Sequence, residues 1–150
     1  MIHFHWHPFS ELTIEQLYAA LRLRTEVFVM EQNCCYVDPD DKDRFAWHLF
    51  GEDDNGLAAY LRLFPPRDIE NYLVFGRVVT ARRVRNKGYG KLLLQELLNY
   101  CSTHYPDTLI QCSAQYYLKN FYESFGLKAT GEIYLEDNIQ HIAMRKEPSP

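Results

Sequence analysis

Residues 74–101 constrain this chain more than any other stretch: VFGRVVT, ARRVRNKGYG and KLLLQELLNYC follow one another without interruption. The first piece has the β-branched density of a buried strand. The third carries Leu93, Leu94, Leu97, Leu98 and Cys101, the spacing of one broad helical stripe. Between them Arg85, Asn86, Lys87, Gly88, Tyr89 and Gly90 make a basic loop, flanked by Arg82, Arg83 and Lys91. Glycine lets the backbone come close to a ligand and turn N–H groups toward it. A helix N-terminus adds partial positive charge, so the arrangement is an anion site suited to a pyrophosphate. The absence of GxxxxGK[ST] excludes a P-loop. GxG here lacks the third glycine and the acidic residue of a dinucleotide-binding unit. RxxGxG remains.

A chain of 150 residues accommodates one domain, residues 1–150, around a single core. Its net charge of −4 gives no general reason to expect nucleic-acid binding. The basic cluster is therefore local and favours a small anionic ligand. No apolar run approaches the ~20 residues needed to span a membrane. The start, MIHFHWHPFSEL, lacks the features of a signal peptide, so a cytoplasmic protein is expected. Cys34, Cys35, Cys101 and Cys112 show no zinc-type CxxC spacing and are expected as free thiols.

From the start of the chain, Ile2, Phe4 and Trp6 alternate with His3, His5 and His7. A strand there puts the three histidines on one face, either a metal site or the solvated face of an edge strand. No metal is expected. Thr13 and Gln16 have capping-box spacing, and the helical pattern from Ile14 to Phe28 loosens near Arg24, which predicts a helix pair broken at 23–26. Pro39 with Asp38, Asp40, Asp41 and Asp43 makes an acidic loop, read for most of these acids as a solvated turn. The alternative is the mouth of a site for a cationic amine. Residues 45–52 and 57–64 form a hairpin about Asp53-Asp54-Asn55-Gly56. Arg62 and Arg77 lie inside strands, where a buried charge must be paired. Each either reaches the surface or a loop acid, or binds a carboxylate-bearing substrate. Residues 108–113 read as a strand, 117–125 as a short helix ended by Gly126, and 127–135 with 139–144 as a final hairpin. The tail 147–150 is expected to fray.

Arg85-x-x-Gly88-x-Gly90 after an apolar strand resembles the acetyl-CoA-binding motif of the GNAT superfamily of N-acetyltransferases. Asn120-Phe121-Tyr122-Glu123-Ser124-Phe125-Gly126-Leu127 resembles the family's FYxxxGF, with Leu127 in place of Phe. Gln115 stands where an Asn is common. LRxxVFVxEQ-x-C-x-Y at 23–36, the His48 strand, FGRVV and EDxIxHIxM at 136–144 together resemble the ElaA-type GNATs of bacteria over nearly the whole chain. One departure is Cys35, where a proline usually follows the first cysteine.

The resemblance implies an α/β (α+β) fold, with a central mixed, mostly antiparallel sheet flanked by helices and an acetyl-CoA cleft beside the central strand. It implies acetyl-CoA as acyl-donor cosubstrate, its pyrophosphate on Arg85, Asn86, Lys87, Gly88, Tyr89, Gly90 and Lys91. The pantetheine arm would follow Val78, Val79 and Thr80, with Gln115, Phe121 and Tyr122 facing it. An amine would attack directly in a ternary complex, with Val78–Val79 N–H groups stabilising the oxyanion and Tyr122 protonating the thiolate. The central strand lacks the glutamate many GNATs carry, leaving Glu31, His48, His141 or a water chain as base. The acids at 38–43 argue for a cationic acceptor and Arg62 with Arg77 for an anionic one. A small zwitterionic amine, bound by a monomer or homodimer, satisfies both. The alternatives are a non-catalytic acyl-CoA-binding module and, more remotely, an acyl-homoserine-lactone-synthase-like enzyme.

Overall fold

The computed structural model describes residues 1–67 and 70–148; the frayed end expected at Ser149 and Pro150 lies outside the described residues. In chain order the elements are β1 (His3–Pro8), α1 (Ile14–Arg24), β2 (Trp47–Asp53), β3 (Gly56–Phe64), β4 (Tyr72–Thr80), α2 (Tyr89–His104), β5 (Leu109–Gln115), α3 (Lys119–Glu123), β6 (Lys128–Glu136) and β7 (Ile139–Lys146). Among the described residues the seven strands form one sheet, ordered β1-β2-β3-β4-β5-β7-β6. Every neighbouring pair is antiparallel except β4 with β5. Parallel neighbours need a crossover, and α2 supplies it.

Local chemistry places each element. Thr13 Oγ1 accepts from Gln16 N–H while the Gln16 side chain caps Thr13 N–H, the capping box its spacing predicts. The helix that follows does not break. At Thr25 it widens into a π-helical segment, Thr25–Glu31, with Thr25 Oγ1 bonded back to Leu21 O at 2.8 Å. An extra residue per turn explains why a 3.6-residue pattern loosens near Arg24. In the β2–β3 hairpin Gly56 takes φ +111°, a conformation that favours glycine. In the last hairpin Asp137 and Asn138 both have positive φ, as a two-residue type I′ turn requires.

The expected single core is in fact two, one on each face of the sheet. Leu93, Leu94, Leu97 and Cys101 of α2 pack on Leu61, Leu63, Leu73, Phe75 and Met144. Each leucine so buried contributes on the order of 2 kcal/mol. On the other face Ala20, Leu23 and Val27 cover Phe50, Tyr60 and Val79. The β1 alternation holds, with Ile2, Phe4 and Trp6 packed against the α2 cluster. The histidine face is not simply solvated: His5 stacks on Phe50, and His5 Nδ1 lies 2.7 Å from His7 Nε2. Among the described residues no group of three metal-ligating side chains is gathered, and no helix is long and apolar enough to cross a membrane.

Two irregularities in β4 position the site. Tyr60 pairs with Val79 and Arg62 with Gly76, so β4 spends one more residue than β3 over the same span. The extra residue is Arg77, at φ +51°. Such a bulge shifts the alternation of everything after it. Leu73 and Phe75 therefore face α2, whereas Val79 joins the opposite cluster. Second, β4 pairs with β5 only from Tyr72↔Leu109 to Val74↔Gln111, while β5 runs on beside β7 to Gln115↔His141. Past Val74 the two parallel strands part and open a cleft of about 1100 Å³.

Candidate active site

One end of the cleft lies under the N-terminus of α2. Gly88 occupies the N-cap at φ +77°, with no side chain capping the helix. The first intrahelical bond runs from Leu92 N–H to Gly88 O, 3.2 Å. The amides of Tyr89, Gly90 and Lys91 precede it and have no intrahelical acceptor. A Cβ on Gly90 would meet only ordinary contacts with Phe121 and Thr80, each at 3.8 Å. Packing therefore does not demand glycine there; what a side chain would obstruct is the cleft, which Gly90 lines. Orphan amides, a helix dipole and open backbone suit a diphosphate.

The basic residues around this end are not equivalent. Arg83 is tied to the β2–β3 hairpin, donating to Asp53 Oδ2 at 2.7 Å and Oδ1 at 2.9 Å. Arg85 forks onto the Glu31 carboxylate, with Nη2 2.9 Å from Oε2 and Nη1 bonded to Oε1. The Arg85 hydrogen bond holds Glu31 below the usual carboxylate range. Glu31 ends the π segment, and the chain beyond it straps the cleft mouth. Gln32 and Gln115 exchange amide hydrogen bonds at 3.0 and 3.1 Å, and the Cys34 thiol donates to Asp137 O at 3.2 Å.

Below the other end lies an ion network that sequence reading resolves only in part. Arg24, 1 % exposed, donates to Asp38 Oδ2 at 2.6 Å and Asp43 Oδ1 at 2.8 Å. Arg62 forks onto Asp40 at 2.8 and 2.7 Å and shares Asp43 at 2.8 Å. Arg77 Nε lies 2.8 Å from Asp38 Oδ1, an ion pair off the hydrogen-bond line, while Nη2 donates to Asp38 O at 3.0 Å. Tyr36 donates to Asp38 Oδ1 at 2.8 Å. Burial is the largest single effect on the Asp40 carboxyl and works to raise it. The Arg62 hydrogen bonds, the charges of Arg62 and Arg77 and the Lys42 N–H together outweigh it and bring it down to about 2. Asp38 and Asp43 are buried, so the solvated-turn expectation fails for them. The charge they neutralise is that of Arg24 and the two strand arginines. Arg62 and Arg77 both line the cleft, yet both are engaged by loop acids.

The sequence-predicted site residues separate clearly. Val78, Val79, Thr80, Arg85, Gly90, Gln115, Phe121, Tyr122, Glu31 and His141 share the cleft. Asn86, Lys87, Gly88, Tyr89 and Lys91 do not line it; they lie in the loop and first turn of α2 on either side of Gly90, which does. His48 does not reach it. It is buried behind the ion network, accepting from the Tyr60 hydroxyl at 2.6 Å and donating to Asp43 O at 2.9 Å. Burial lowers its pKa, so His48 is a neutral structural link rather than a base. Glu31 as the base is weakened likewise, because both its oxygens serve Arg85. Tyr122 is 4 % exposed, and burial raises its hydroxyl pKa, so it is a proton donor at neutral pH. Among the described residues no protein group takes its hydrogen bond.

The sequence model described as Acetyltransferase (GNAT) domain matches residues 46–148. This chain belongs to the GNAT acetyltransferase family. A relative, Protein ElaA of Escherichia coli K12, is 41 % identical over 140 residues, covering 92 % of each chain. The crystal structure of Escherichia coli ElaA superimposes with a TM-score of 0.91 at 40 % identity, over 98 % of this chain and 100 % of that one. An acyl-CoA N-acyltransferase from Pseudomonas aeruginosa gives 0.91 at 40 % identity, over 97 % and 99 %. The GNAT fold implies acyl-CoA binding and transfer to an amine, and the splayed β4–β5 cleft, the uncapped α2 and the open Gly90 backbone fit that cosubstrate.

The GNAT cleft also holds residues that sequence reading did not single out. Ser113 Oγ is bonded to the Tyr134 hydroxyl and lies 3.5 Å from Glu136 Oε2. Glu136 Oε2 in turn lies 3.4 Å from His141 Nε2. The one available signal is the EDxIxHIxM segment, which puts Glu136 and His141 on either arm of a tight hairpin.

Proposed function

We propose that this protein is an acetyl-CoA-dependent N-acetyltransferase acting directly on an amine in a ternary complex. The observation that carries this reading is Tyr122: a buried tyrosine whose protonated hydroxyl has no protein partner among the described residues, on the lining of the same cleft as the α2 N-terminus. In this reading the amides of Tyr89, Gly90 and Lys91, with Arg85, Asn86, Lys87 and Gly88 around them, receive the pyrophosphate. The edge of β4 freed past Val74 offers Val78, Val79 and Thr80 to the pantetheine arm, and Phe121 and Gln115 flank it. The N–H groups of Val78–Val79 stabilise the oxygen that gains charge.

Protons balance as follows. An ammonium acceptor gives one proton to a base and becomes nucleophilic. Its nitrogen bonds the acetyl carbon as the carbon–sulfur bond breaks, and Tyr122 protonates the departing thiolate. The second nitrogen proton returns to Tyr122, so one proton leaves overall.

Thiol release, followed with acetyl-CoA against polyamines, amino acids, aminosugars and peptides, tests the proposal. Release with one amine class supports it. Saturable binding of acetyl-CoA with no release on any of these amines would contradict it and favour a non-catalytic acyl-CoA-binding module.

A further inference from the structure

We infer that the acceptor subsite is built by Glu136, His141 and Ser113, and that it selects an alkylammonium over a carboxylate-bearing amine. The inference rests on the acetyltransferase reading and adds its missing half. Three observations carry it.

The first is charge. Arg24, Arg62 and Arg77 are matched by Asp38, Asp40 and Asp43, so the network adds no net charge to the cleft. The case for a carboxylate on the acceptor falls with it. The charges left at this end are Glu136, Asp137 and Lys42, a net negative set. Phe64, Val74 and Ile139 line the same space and suit an aliphatic chain.

The second is geometry. Ile139 O lies 2.7 Å from His141 Nδ1 and can only accept, so Nδ1 carries the proton. In the neutral ring Nε2 then has the lone pair, and it lies 3.4 Å from Glu136 Oε2 in the cleft wall. Tyr134 stacks on His141 and holds Ser113, which fixes the ring from behind. Glu136 Oε1 has no protein partner among the described residues. A carboxylate beside a basic nitrogen can hold an ammonium and remove its proton.

The third is Tyr122. The residue is 4 % exposed and lines the same cleft, and its hydroxyl has no protein hydrogen-bond partner among the described residues. The base side and the acid side of one transfer thus line one cleft. The ammonium docks on Glu136 and gives a proton to His141 Nε2, which passes it to solvent. The neutral nitrogen attacks the acetyl carbon, and sulfur leaves with the Tyr122 proton, which the second nitrogen proton replaces.

The test compares kcat and KM of thiol release for spermidine, a lysine-containing peptide, glutamate and glucosamine. The expected order has the first two at the lowest KM. A lower KM for spermidine identifies a free polyamine as the source, and a lower KM for the peptide a lysine side chain; either supports the subsite. Glu136→Gln should raise the KM of the preferred ammonium by about tenfold to a hundredfold, the range of a lost charge-assisted hydrogen bond. Its kcat should stay within about threefold and its acetyl-CoA affinity should not change. Glu136→Lys should move preference toward glutamate, a reversal that a merely structural role would not produce. His141→Gln should lower kcat at least tenfold with little change in KM. An unchanged KM in Glu136→Gln, or glutamate preferred by the unmodified protein, overturns the subsite and leaves the acetyltransferase reading standing. No acetyl transfer to any amine overturns both.

Discussion

Arg24 shows what a single side chain can settle in this fold. A guanidinium 1 % exposed is tolerable only because every arm of its fork meets an acceptor: Asp38, Asp43 or the Asp38 carbonyl. Removing one partner of such a set leaves buried charge uncompensated. Arg24→Met is expected to destabilise the protein by about 3–5 kcal/mol in urea denaturation. Arg22→Ala, which breaks only the exposed pair with Glu26, is expected to cost less than about 0.5 kcal/mol. Equal losses in the two variants would show that the network is not structural. Tyr122 makes the complementary case, a buried ring on the cleft wall whose hydroxyl has no protein partner among the described residues. Tyr122→Phe should cut turnover by about a hundredfold with acetyl-CoA affinity nearly intact. Unchanged turnover in single-turnover assays would remove Tyr122 from the acid role. At this scale the sequence is informative about which residues are unusual and silent about their partners. Charges inside strands at Arg62 and Arg77 are plain in the sequence. Their pairing with Asp38 and Asp40 depends on a loop folding back some twenty to forty positions away.

At the scale of elements, the strand–loop–helix unit at 72–104 is legible because its signals are local: β-branched density, glycine at a positive φ, a leucine stripe. The capping box at Thr13 and the turn at Asp137-Asn138 are legible for the same reason. The bulge at Arg77 is not, since it exists only as a mismatch between two strands. The Glu136–His141–Ser113 cluster is hidden likewise, because it needs the β5–β7 register as well as the hairpin. The continuous α1–π helix in place of a broken pair follows from one added residue per turn, which a fixed helical period misreads. The loop assignment carries its own prediction. Gly88→Asp puts a Cβ at φ +77° and a carboxylate beside the orphan amides. It should weaken acetyl-CoA binding by more than tenfold in calorimetry while far-ultraviolet circular dichroism stays unchanged. Normal binding by that variant would move the pyrophosphate elsewhere.

Over the whole molecule, a sheet covered on both faces carries the charged loop 38–43 against one of them, so acid should act on the fold through that loop. Burial opposes ionisation of Asp40 and Asp43, but their arginines win and lower both in the folded state. Carboxyls depressed by folding contribute stability that is present above the ordinary carboxylate pKa of about 4 and is lost as pH falls through the folded value. For Asp40 that value is about 2. Thermal unfolding followed from pH 5 to pH 2 should show falling stability across this window. In Asp40→Asn the fall should be shallower; an identical slope in both proteins would separate Asp40 from acid unfolding. The central claim is that the cleft between β4 and β5 is built for an acyl-CoA. Calorimetric titration of acetyl-CoA into the full chain tests it most directly. A single saturable site per chain, weakened more than tenfold in Gly88→Asp and kept in Tyr122→Phe, is the predicted result. No saturable heat with the unmodified protein would contradict it.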